Sequence, residues 1–231
     1  MNANQPASSN PRSASGRGKN SAPAPRAASW AYAEEFSPEP TGAADARIEA
    51  GELGVTPLSR GTASLITVLA RSVQARAVVE IGTSAGVSGL AFFDGMGDQG
   101  ILTSVDPEHE HQSAARKAFT AAGIPNRRFR LITGQPLDVL PKLSDGAYDM
   151  VWVSGDKLEY GEYIDQAMRL LRHGGLLLVH NALWSNKIAD ANNTEDETIV
   201  IRETLAGISE DESLTATLVP VGDGLLLAVK A

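Results

Sequence analysis

The chain has 231 residues, of which 42% are hydrophobic, and its formal net charge is −8 at pH 7. That length suffices for one α/β domain with a substantial core, but not for two. The absence of cysteine excludes disulfides, thiolate metal sites and cysteine nucleophiles, and the acidic balance disfavours nucleic acid or an anionic membrane as a general partner. No apolar run approaches the ~20 residues of a membrane span, and the start lacks the apolar region of a secretory signal. We therefore expect a soluble, cytoplasmic protein.

The first 28 residues differ in composition from the rest of the chain. They are rich in Ser, Ala, Pro, Asn and Gly, and they contain basic residues but no acidic one. Such a segment buries too little apolar surface to offset its chain entropy. We predict a disordered tail at 1–28 and one folded domain at 29–231. A basic arm for nucleic acid and a targeting segment are the less favoured alternatives.

The remaining sequence predicts strands that alternate with helices. Short helices are expected between Trp30 and Leu53, and Thr56-Pro57 is typical of an N-cap followed by proline in the first helical turn. The predicted strands lie at 77–82, 101–106, 128–132, 148–153 and 176–180, and helices begin near 86, 109, 136 and 160. The last of these helices is predicted to end at Gly174-Gly175. This alternation indicates a mainly parallel sheet with helices on both faces.

The end of the chain has a different pattern. Residues 194–197 (Thr-Glu-Asp-Glu) are typical of a capping box that opens a last helix. Two apolar runs, 214–219 and 225–229, then flank a Gly-Asp-Gly turn, which predicts an antiparallel hairpin. The complete prediction is an α/β fold: a Rossmann-like, doubly wound, mainly parallel seven-stranded sheet that ends in a C-terminal antiparallel hairpin. The hairpin departs from the dinucleotide-binding dehydrogenases.

A small-residue turn follows the first long strand. Glu80 ends the apolar run, Gly82 and Gly86 bracket the turn, and Asp106 ends the next strand. Glycines allow close backbone approach to a ligand, the following helix N-terminus offers free N–H groups, and a carboxylate after the second strand can accept both hydroxyls of a ribose. The pattern predicts a cofactor that contains adenosine.

Two residues favour a cofactor without phosphate. Ser84 stands where the dinucleotide fingerprint has its second glycine, which lets a pyrophosphate approach the backbone. Glu80 would also repel a nearby pyrophosphate, whereas it could receive an ammonium group directly or through water. The sequence therefore favours S-adenosylmethionine, and an NAD-dependent oxidoreductase is the weaker alternative.

The run Val79 to Ser88, V-E-I-G-T-S-A-G-V-S, resembles motif I of the O-methyltransferases that include the catechol and caffeoyl-CoA enzymes, and it looks closest to short actinobacterial members. The similarity covers roughly residues 50–231. Val55-Thr56-Pro57 resembles the segment over the methionine end of the cofactor, and Gly134-Gln135-Pro136 resembles the loop that passes the adenine. The resemblance implies a homodimer and the following cofactor-binding residues: Val55, Glu80, Gly82, Thr83, Ser84, Ser88, Asp106, Pro107, Gln135, Pro136 and Asp156.

The metal half of the family pattern is altered in this chain. By the resemblance, metal-dependent members end the fourth strand with Asp and the fifth with an Asp-Asn pair. Here Ser154 and His180 replace the two aspartates, and Asn181 alone remains. Because Mg²⁺ prefers anionic oxygen ligands, we predict that the usual metal site is absent. Ser154, Asn181 and Trp184 then become candidate substrate-binding residues, with Trp184 either stacked on a flat acceptor or filling the pocket floor.

Methyl transfer to oxygen needs an aligned hydroxyl group and a proton acceptor. Lys157 lies where the catechol enzymes have their basic lysine, and a neighbouring sulfonium would disfavour its charged form. His180 is the second candidate. The alternatives are a solvated lysine at a helix start and a histidine bonded to nearby backbone. His109 and His111 are interpreted as part of a helix start and not as metal ligands.

The predicted function is S-adenosylmethionine-dependent O-methylation of a small hydroxylated acceptor without a divalent metal. The competing hypothesis is a catalytically inactive cofactor-binding protein that acts through a partner.

Overall fold

A computed structural model describes residues 27–231. Its seven strands are β1 (Ala77–Ile81), β2 (Ile101–Asp106), β3 (Phe129–Thr133), β4 (Tyr148–Val153), β5 (Leu171–His180), β6 (Leu214–Val219) and β7 (Leu225–Lys230). They form one sheet in the order β3-β2-β1-β4-β5-β7-β6. The first five strands are parallel, and β7 runs antiparallel to both β5 and β6. The predicted fold class is confirmed.

Helices cover both faces of this sheet. They are α1 (Ala27–Glu34), α2 (Ala43–Glu52), α3 (Arg60–Ser72), α4 (Val87–Gly95), α5 (His109–Ala121), α6 (Pro136–Val139), α7 (Tyr160–Leu170) and α8 (Asp196–Glu210). Because successive strand side chains point to opposite faces, Val78 belongs to the apolar cluster under α3, α4 and α5, while Val79 belongs to the cluster under α7 and α8. The carboxyl ends of the parallel strands therefore meet at one edge between two packed layers.

The start of α3 differs from the prediction. The helix begins at Arg60, and its N-cap is Ser59, whose Oγ accepts a hydrogen bond from the Thr62 amide at 3.1 Å. The predicted cap at Thr56-Pro57 was wrong because the preceding segment is held outside the helix: Arg47 Nη1 donates to the carbonyl oxygen of Leu58 at 2.5 Å. The segment 53–59 is therefore a loop beside the cleft described below.

Two further helix boundaries also differ. Helix α7 ends at Leu170, and β5 begins at Leu171, before the glycines that were predicted to stop the helix. Gly174 and Gly175 instead lie within the register shift between β4 and β5, where Gly174 has φ +70°. Helix α8 begins at Asp196 with Glu195 as N-cap and no side-chain capping bond, so the predicted capping box does not form.

The predicted tail is only partly described. Helix α1 begins at Ala27, two residues inside the segment predicted to be disordered, and residues 1–26 lie outside the described residues. Within residues 27–231, no helix combines the length and apolarity that crossing a bilayer requires.

Candidate active site

A cleft of about 480 Å³ opens at the carboxyl ends of β1, β2, β4 and β5. It brings together most of the residues predicted to bind a cofactor: Val55, Gly82, Ser84, Asp106, Pro107, Gln135, Pro136 and Asp156. Ser88 lines a small adjoining space of about 30 Å³, which it shares with Gly82, Ser84, Ser154 and His180.

The turn after β1 needs glycine for two separate reasons. Gly82 has φ +90°, and a Cβ atom there would lie 2.8 Å from the carbonyl oxygen of Ser154 on the neighbouring strand. Gly86 has φ +87° at the N-cap of α4. A side chain at Gly82 would therefore be strained by its backbone conformation and would also collide with β4.

Asp106 ties the ends of β1 and β2 together at the cleft. Its Oδ2 accepts hydrogen bonds from the backbone amides of Thr83 (2.8 Å) and Ser84 (3.2 Å). Its Oδ1 accepts from the Glu108 amide (2.9 Å) and lies 3.1 Å from His111 Nδ1. Of these four partners only His111 is a side chain. It could therefore move away and leave Asp106 Oδ1 free to accept a hydrogen bond from a ribose hydroxyl.

Glu80 and Thr83 do not line the cleft. Glu80 is fully buried. Its carboxylate accepts hydrogen bonds from Ser88 and Ser104. Burial raises the pKa of Glu80 to about 7, against the lowering effect of the two serine bonds. Thr83 is buried with its hydroxyl 2.6 Å from Ser104 Oγ. A contact between Glu80 and a cofactor would have to pass through Ser88.

The cleft has the groups that a nucleoside needs. The Ser84 hydroxyl is buried and has no hydrogen-bond partner among the described residues, although the residue lines the cleft. A buried hydroxyl without a partner is unfavourable, and a ligand in the cleft can supply that partner. The Ser84 hydroxyl, the Asp106 carboxylate and the glycine turn together fit the uncharged sugar and base of a nucleoside.

A second cavity of about 750 Å³ adjoins the cleft. The two share the residues Thr56, Gly155, Asp156, Lys157 and Asn181. The far wall of the second cavity is formed by the loop after β5, including Trp184, by Glu197 of α8 and by Asp223 of the β6–β7 turn. A molecule in this cavity would meet a molecule in the cleft at the shared residues.

Lys157 lies in this shared wall. Its Nζ donates to the Gly155 carbonyl oxygen at 3.0 Å and lies 4.7 Å from the ring centre of Tyr160 and 5.6 Å from that of Trp184. Burial lowers the pKa of Lys157 to about 8, and the nearby charges of Asp156 and Asp223 oppose this shift. Lys157 is the first residue of a short 3-10 helix, as the alternative interpretation expected, but its side chain is half-buried and not fully solvated.

Ser154 and His180 face each other at the ends of β4 and β5. Ser154 Oγ lies 3.1 Å from His180 Nδ1, and the imidazole stacks on Trp152 with ring centres 5.0 Å apart. Burial, followed by the charge of Lys157, lowers the pKa of His180 to about 3, so the ring is neutral at physiological pH. A neutral imidazole with this pKa is a poor proton acceptor near pH 7.

The residues at the altered metal position do not fit a magnesium ion. Ser154 and His180 are neutral, and Asn181 Nδ2 donates to Asp223 Oδ2 at 3.1 Å. Between residues 27 and 231 no group of three His, Asp or Glu side chains could hold a metal ion. That finding includes His109 and His111, which lie in the first turn of α5 as predicted, although the N-cap Glu108 makes no side-chain capping bond.

The sequence profile of a protein family described as O-methyltransferase matches residues 49–231. The chain belongs to the O-methyltransferase family. The Mycobacterium tuberculosis H37Rv protein named Probable O-methyltransferase Rv1220c is 42% identical to this O-methyltransferase over 201 residues, which are 87% of this chain and 90% of the mycobacterial one.

Solved structures share the fold of this O-methyltransferase. A Corynebacterium glutamicum protein superposes with a TM-score of 0.81 and 32% identity, covering 87% of this chain and 94% of that chain. The O-methyltransferase TomG of Streptomyces achromogenes, in complex with SAM, superposes with a TM-score of 0.79 and 24% identity, covering 87% and 94%.

Sequence reasoning missed Asp223 and His111 as site residues. Asp223 accepts from the Ser185 amide at 2.7 Å as well as from Asn181. The only signal for Asp223 was the Gly-Asp-Gly turn, and that pattern equally describes an ordinary hairpin. His111 was predicted to lie in the first turn of a helix next to the ribose, but it was not named as a site residue.

Proposed function

We propose that this O-methyltransferase transfers the methyl group of S-adenosylmethionine to a hydroxyl oxygen of a small acceptor, with Lys157 as proton acceptor and without a divalent cation. One observation carries the proposal: Lys157, with its pKa lowered to about 8, lies in the wall shared by the two cavities. This is where a cofactor in the cleft and an acceptor in the second cavity would meet.

The cofactor assignment rests on the cleft residues. Asp106 and Ser84 supply the polar contacts for the sugar, and Gln135 and Pro136 supply the wall on the adenine side. Ser88, which bonds to the buried Glu80, would lie towards the amino-acid end. When bound, S-adenosylmethionine supplies a methyl group activated by a sulfonium.

The chemistry that the chain itself performs is positioning and proton transfer. The acceptor hydroxyl lies against Lys157, whose neutral Nζ takes the hydroxyl proton. The oxygen held in this way would be aligned to accept the methyl group that bound S-adenosylmethionine would supply, with the cofactor leaving as a neutral thioether. The Lys157 ammonium afterwards returns its proton to solvent through the open mouth of the cavity.

The absence of a cation requirement is supported by the donor set. Ser154 and His180 provide no carboxylate where a hard cation would need one, and Asn181, whose Nδ2 donates to Asp223, offers only its neutral Oδ1. Lys157 in the shared wall, and His180, which lines the cleft beside it, provide polar contacts without a metal ion for an acceptor oxygen that reaches the cleft.

Calorimetry and a methylation assay test the proposal together. S-adenosylhomocysteine should bind to the purified protein, and methyl transfer to a panel of mono- and dihydroxylated aromatics should continue in EDTA. Complete loss of transfer on chelation would contradict the cation-free mechanism, and absence of S-adenosylhomocysteine binding would contradict the whole proposal.

We also propose that two copies associate through the N-terminal helices. Helix α1 has no buried residue, and Trp30, Tyr32 and Phe36 expose 40%, 71% and 73% of their surface. Light scattering should show a dimer that the double substitution Tyr32→Ser, Phe36→Ser converts to a monomer. A monomeric unsubstituted protein at micromolar concentration would contradict the dimer. The cytoplasmic location stays a prediction.

A further inference from the structure

Ser154 and His180 are held in place by several contacts, although neither residue is needed as a metal ligand. His180 exposes only 7% of its surface, its ring is stacked on Trp152, and its backbone carbonyl accepts a hydrogen bond from the Tyr160 hydroxyl at 3.0 Å. The ring is therefore held from its face, its backbone and its Nδ1 atom, while the residue lines the cleft next to Lys157.

The hydrogen bond to Ser154 decides which ring nitrogen carries the proton. Ser154 Oγ contacts no other polar group of the described residues within hydrogen-bond distance except His180 Nδ1, at 3.1 Å. If the serine donates to Nδ1, its hydroxyl hydrogen is used and the proton of the neutral ring lies on Nε2. If Nδ1 donated instead, the hydrogen left without a protein partner would be that of the Ser154 hydroxyl; in the first arrangement it is the Nε2–H of the ring, which a ligand oxygen in the cleft can accept.

We infer that Ser154 holds neutral His180 as the Nε2–H tautomer, and that this N–H donates a hydrogen bond to the acceptor oxygen while Lys157 removes its proton. The inference rests on the proposed function and assigns His180 a role other than base. A neutral imidazole that donates a hydrogen bond can stabilise the negative charge that develops on oxygen. It would perform part of the electrostatic work that a cation performs in a metal-dependent site.

This role is compatible with a single hydroxyl group. The hydroxyl hydrogen points to Lys157 Nζ, and a lone pair of the same oxygen receives Nε2–H. A second hydroxyl is not needed to fix the acceptor, as it would be if two oxygens had to chelate an ion. Acceptors with an isolated hydroxyl are therefore expected to be methylated as readily as matched vicinal diols.

Nitrogen NMR of histidine-labelled protein tests the tautomer directly. The complex with S-adenosylhomocysteine is recorded at pH 7 to 8, and the His180 signals are identified by their loss in His180→Gln. The proton is expected on Nε2, with Ser154→Thr unchanged and Ser154→Ala giving a mixture of tautomers. A proton on Nδ1, or a charged ring, in the unsubstituted protein would overturn the inference.

Kinetics with catechol and guaiacol as acceptors test the hydrogen bond. We expect kcat to fall about 100-fold or more in His180→Phe and less in His180→Gln, whose amide can still donate. The rise of rate with pH that Lys157 produces should persist in both variants, since Lys157 remains the base. Loss of that rise in His180→Gln, or equal rates in Gln and Phe variants, would overturn the inference. If the unsubstituted protein binds S-adenosylhomocysteine but methylates neither phenol, or does not bind it, the proposed function fails. Spectra of the protein without ligand then still decide the tautomer.

Discussion

The carboxyl groups of Asp106 and Glu80 are each held by several hydrogen bonds, whereas the polar side chains around Lys157 are each held by one. Asp106 has four such contacts and Glu80 has two. Lys157 Nζ donates to one carbonyl oxygen, and the His180 ring has one contact. We call the first region the cofactor half (Glu80, Ser84, Ser88, Asp106) and the second the acceptor half (Ser154, Lys157, His180, Asn181).

The difference indicates that the cofactor half recognises a ligand and that the acceptor half carries out proton transfer. A carboxylate whose oxygens are already engaged is fixed in place and presents a rigid surface, which suits recognition of one constant ligand. An amine or imidazole with unused hydrogen-bonding capacity can bind a reacting oxygen and exchange a proton with it. The following substitutions test whether the two halves separate in this way.

Lys157→Met should have the largest effect. We expect kcat to fall by about 10² to 10⁴, the usual range for loss of a general base, with the affinity for S-adenosylhomocysteine unchanged. In the unsubstituted enzyme the rate should rise as pH passes about 8, because the lowered pKa of Lys157 makes the neutral form available there. Initial rates between pH 6 and 10 would measure both effects.

Lys187→Met is the matched control for this experiment. Lys187 Nζ lies 5.7 Å from the Trp184 ring centre, similar to Lys157, but it forms an exposed ion pair with Glu195. Its removal should leave kcat within about twofold, since surface ion pairs contribute little. An equal loss of kcat in both variants would mean that the rate depends on positive charge near Trp184 and not on a base at Lys157.

Glu80→Gln should change the pH dependence of stability in the cofactor half. The pKa of about 7 in the folded state lies above the ordinary value of 4.5, so the carboxyl group binds its proton more tightly in the folded state. Proton binding by Glu80 therefore stabilises the folded state fully below pH 4.5. This contribution to the free energy of unfolding, roughly 3 kcal/mol at most, is lost as the pH rises through 7. Urea unfolding at pH 5 and 8 should show a smaller difference in Glu80→Gln than in the unsubstituted protein. The exposed Glu203→Gln should leave the difference unchanged, and an unchanged difference in Glu80→Gln would contradict the prediction.

Asp106→Asn should weaken S-adenosylhomocysteine binding about 10- to 100-fold, because hydrogen bonds to a charged group each contribute ~1.5–3 kcal/mol. Asp149→Asn is a matched control at the other end of the sheet, where that carboxylate accepts from the Arg76 and Ala77 amides at 2.7 and 2.9 Å. Both variants should lose stability, and only Asp106→Asn should lose ligand affinity by calorimetry. Equal affinities would remove Asp106 from the binding site.

The double substitution Ser154→Asp, His180→Asp should create affinity for a divalent cation in the acceptor half. Two carboxylates beside Asn181 supply hard oxygen ligands, and we expect at least about tenfold tighter Mn²⁺ binding than in the unsubstituted protein. Ser154→Asp alone should give an intermediate value and keeps the stacked imidazole. Titration with Mn²⁺ measures the gain, and no gain in either variant would show that these side chains do not converge.

Much of the fold could be predicted from local sequence. The bounds of β4 and β6 were predicted exactly, and those of β7 to within one residue, from apolar runs and a turn motif, because strand periodicity and turn chemistry act over a few residues. Gly174-Gly175 misled the prediction, since the same two glycines suit a helix end or a bulge, and the pairing of β5 with β4 selects the bulge. The predicted start of α3 was wrong for a similar reason, because Arg47, eleven residues away from Leu58, holds Leu58 outside the helix.

By itself, the sequence determined the class of fold, the glycine turn and the carboxylate after β2, because these depend on backbone conformation and on neighbours close in the chain. Only the tertiary structure decided that Glu80 lies beneath the cleft, that Asp223 reaches Asn181, and that Lys157 and His180 are desolvated. Antiparallel pairing of β7 with β5 sets Leu225 opposite His180 and so carries Asp223 to the site. Burial and long-range pairing arise from the packing of distant segments, and no local pattern of residues encodes them.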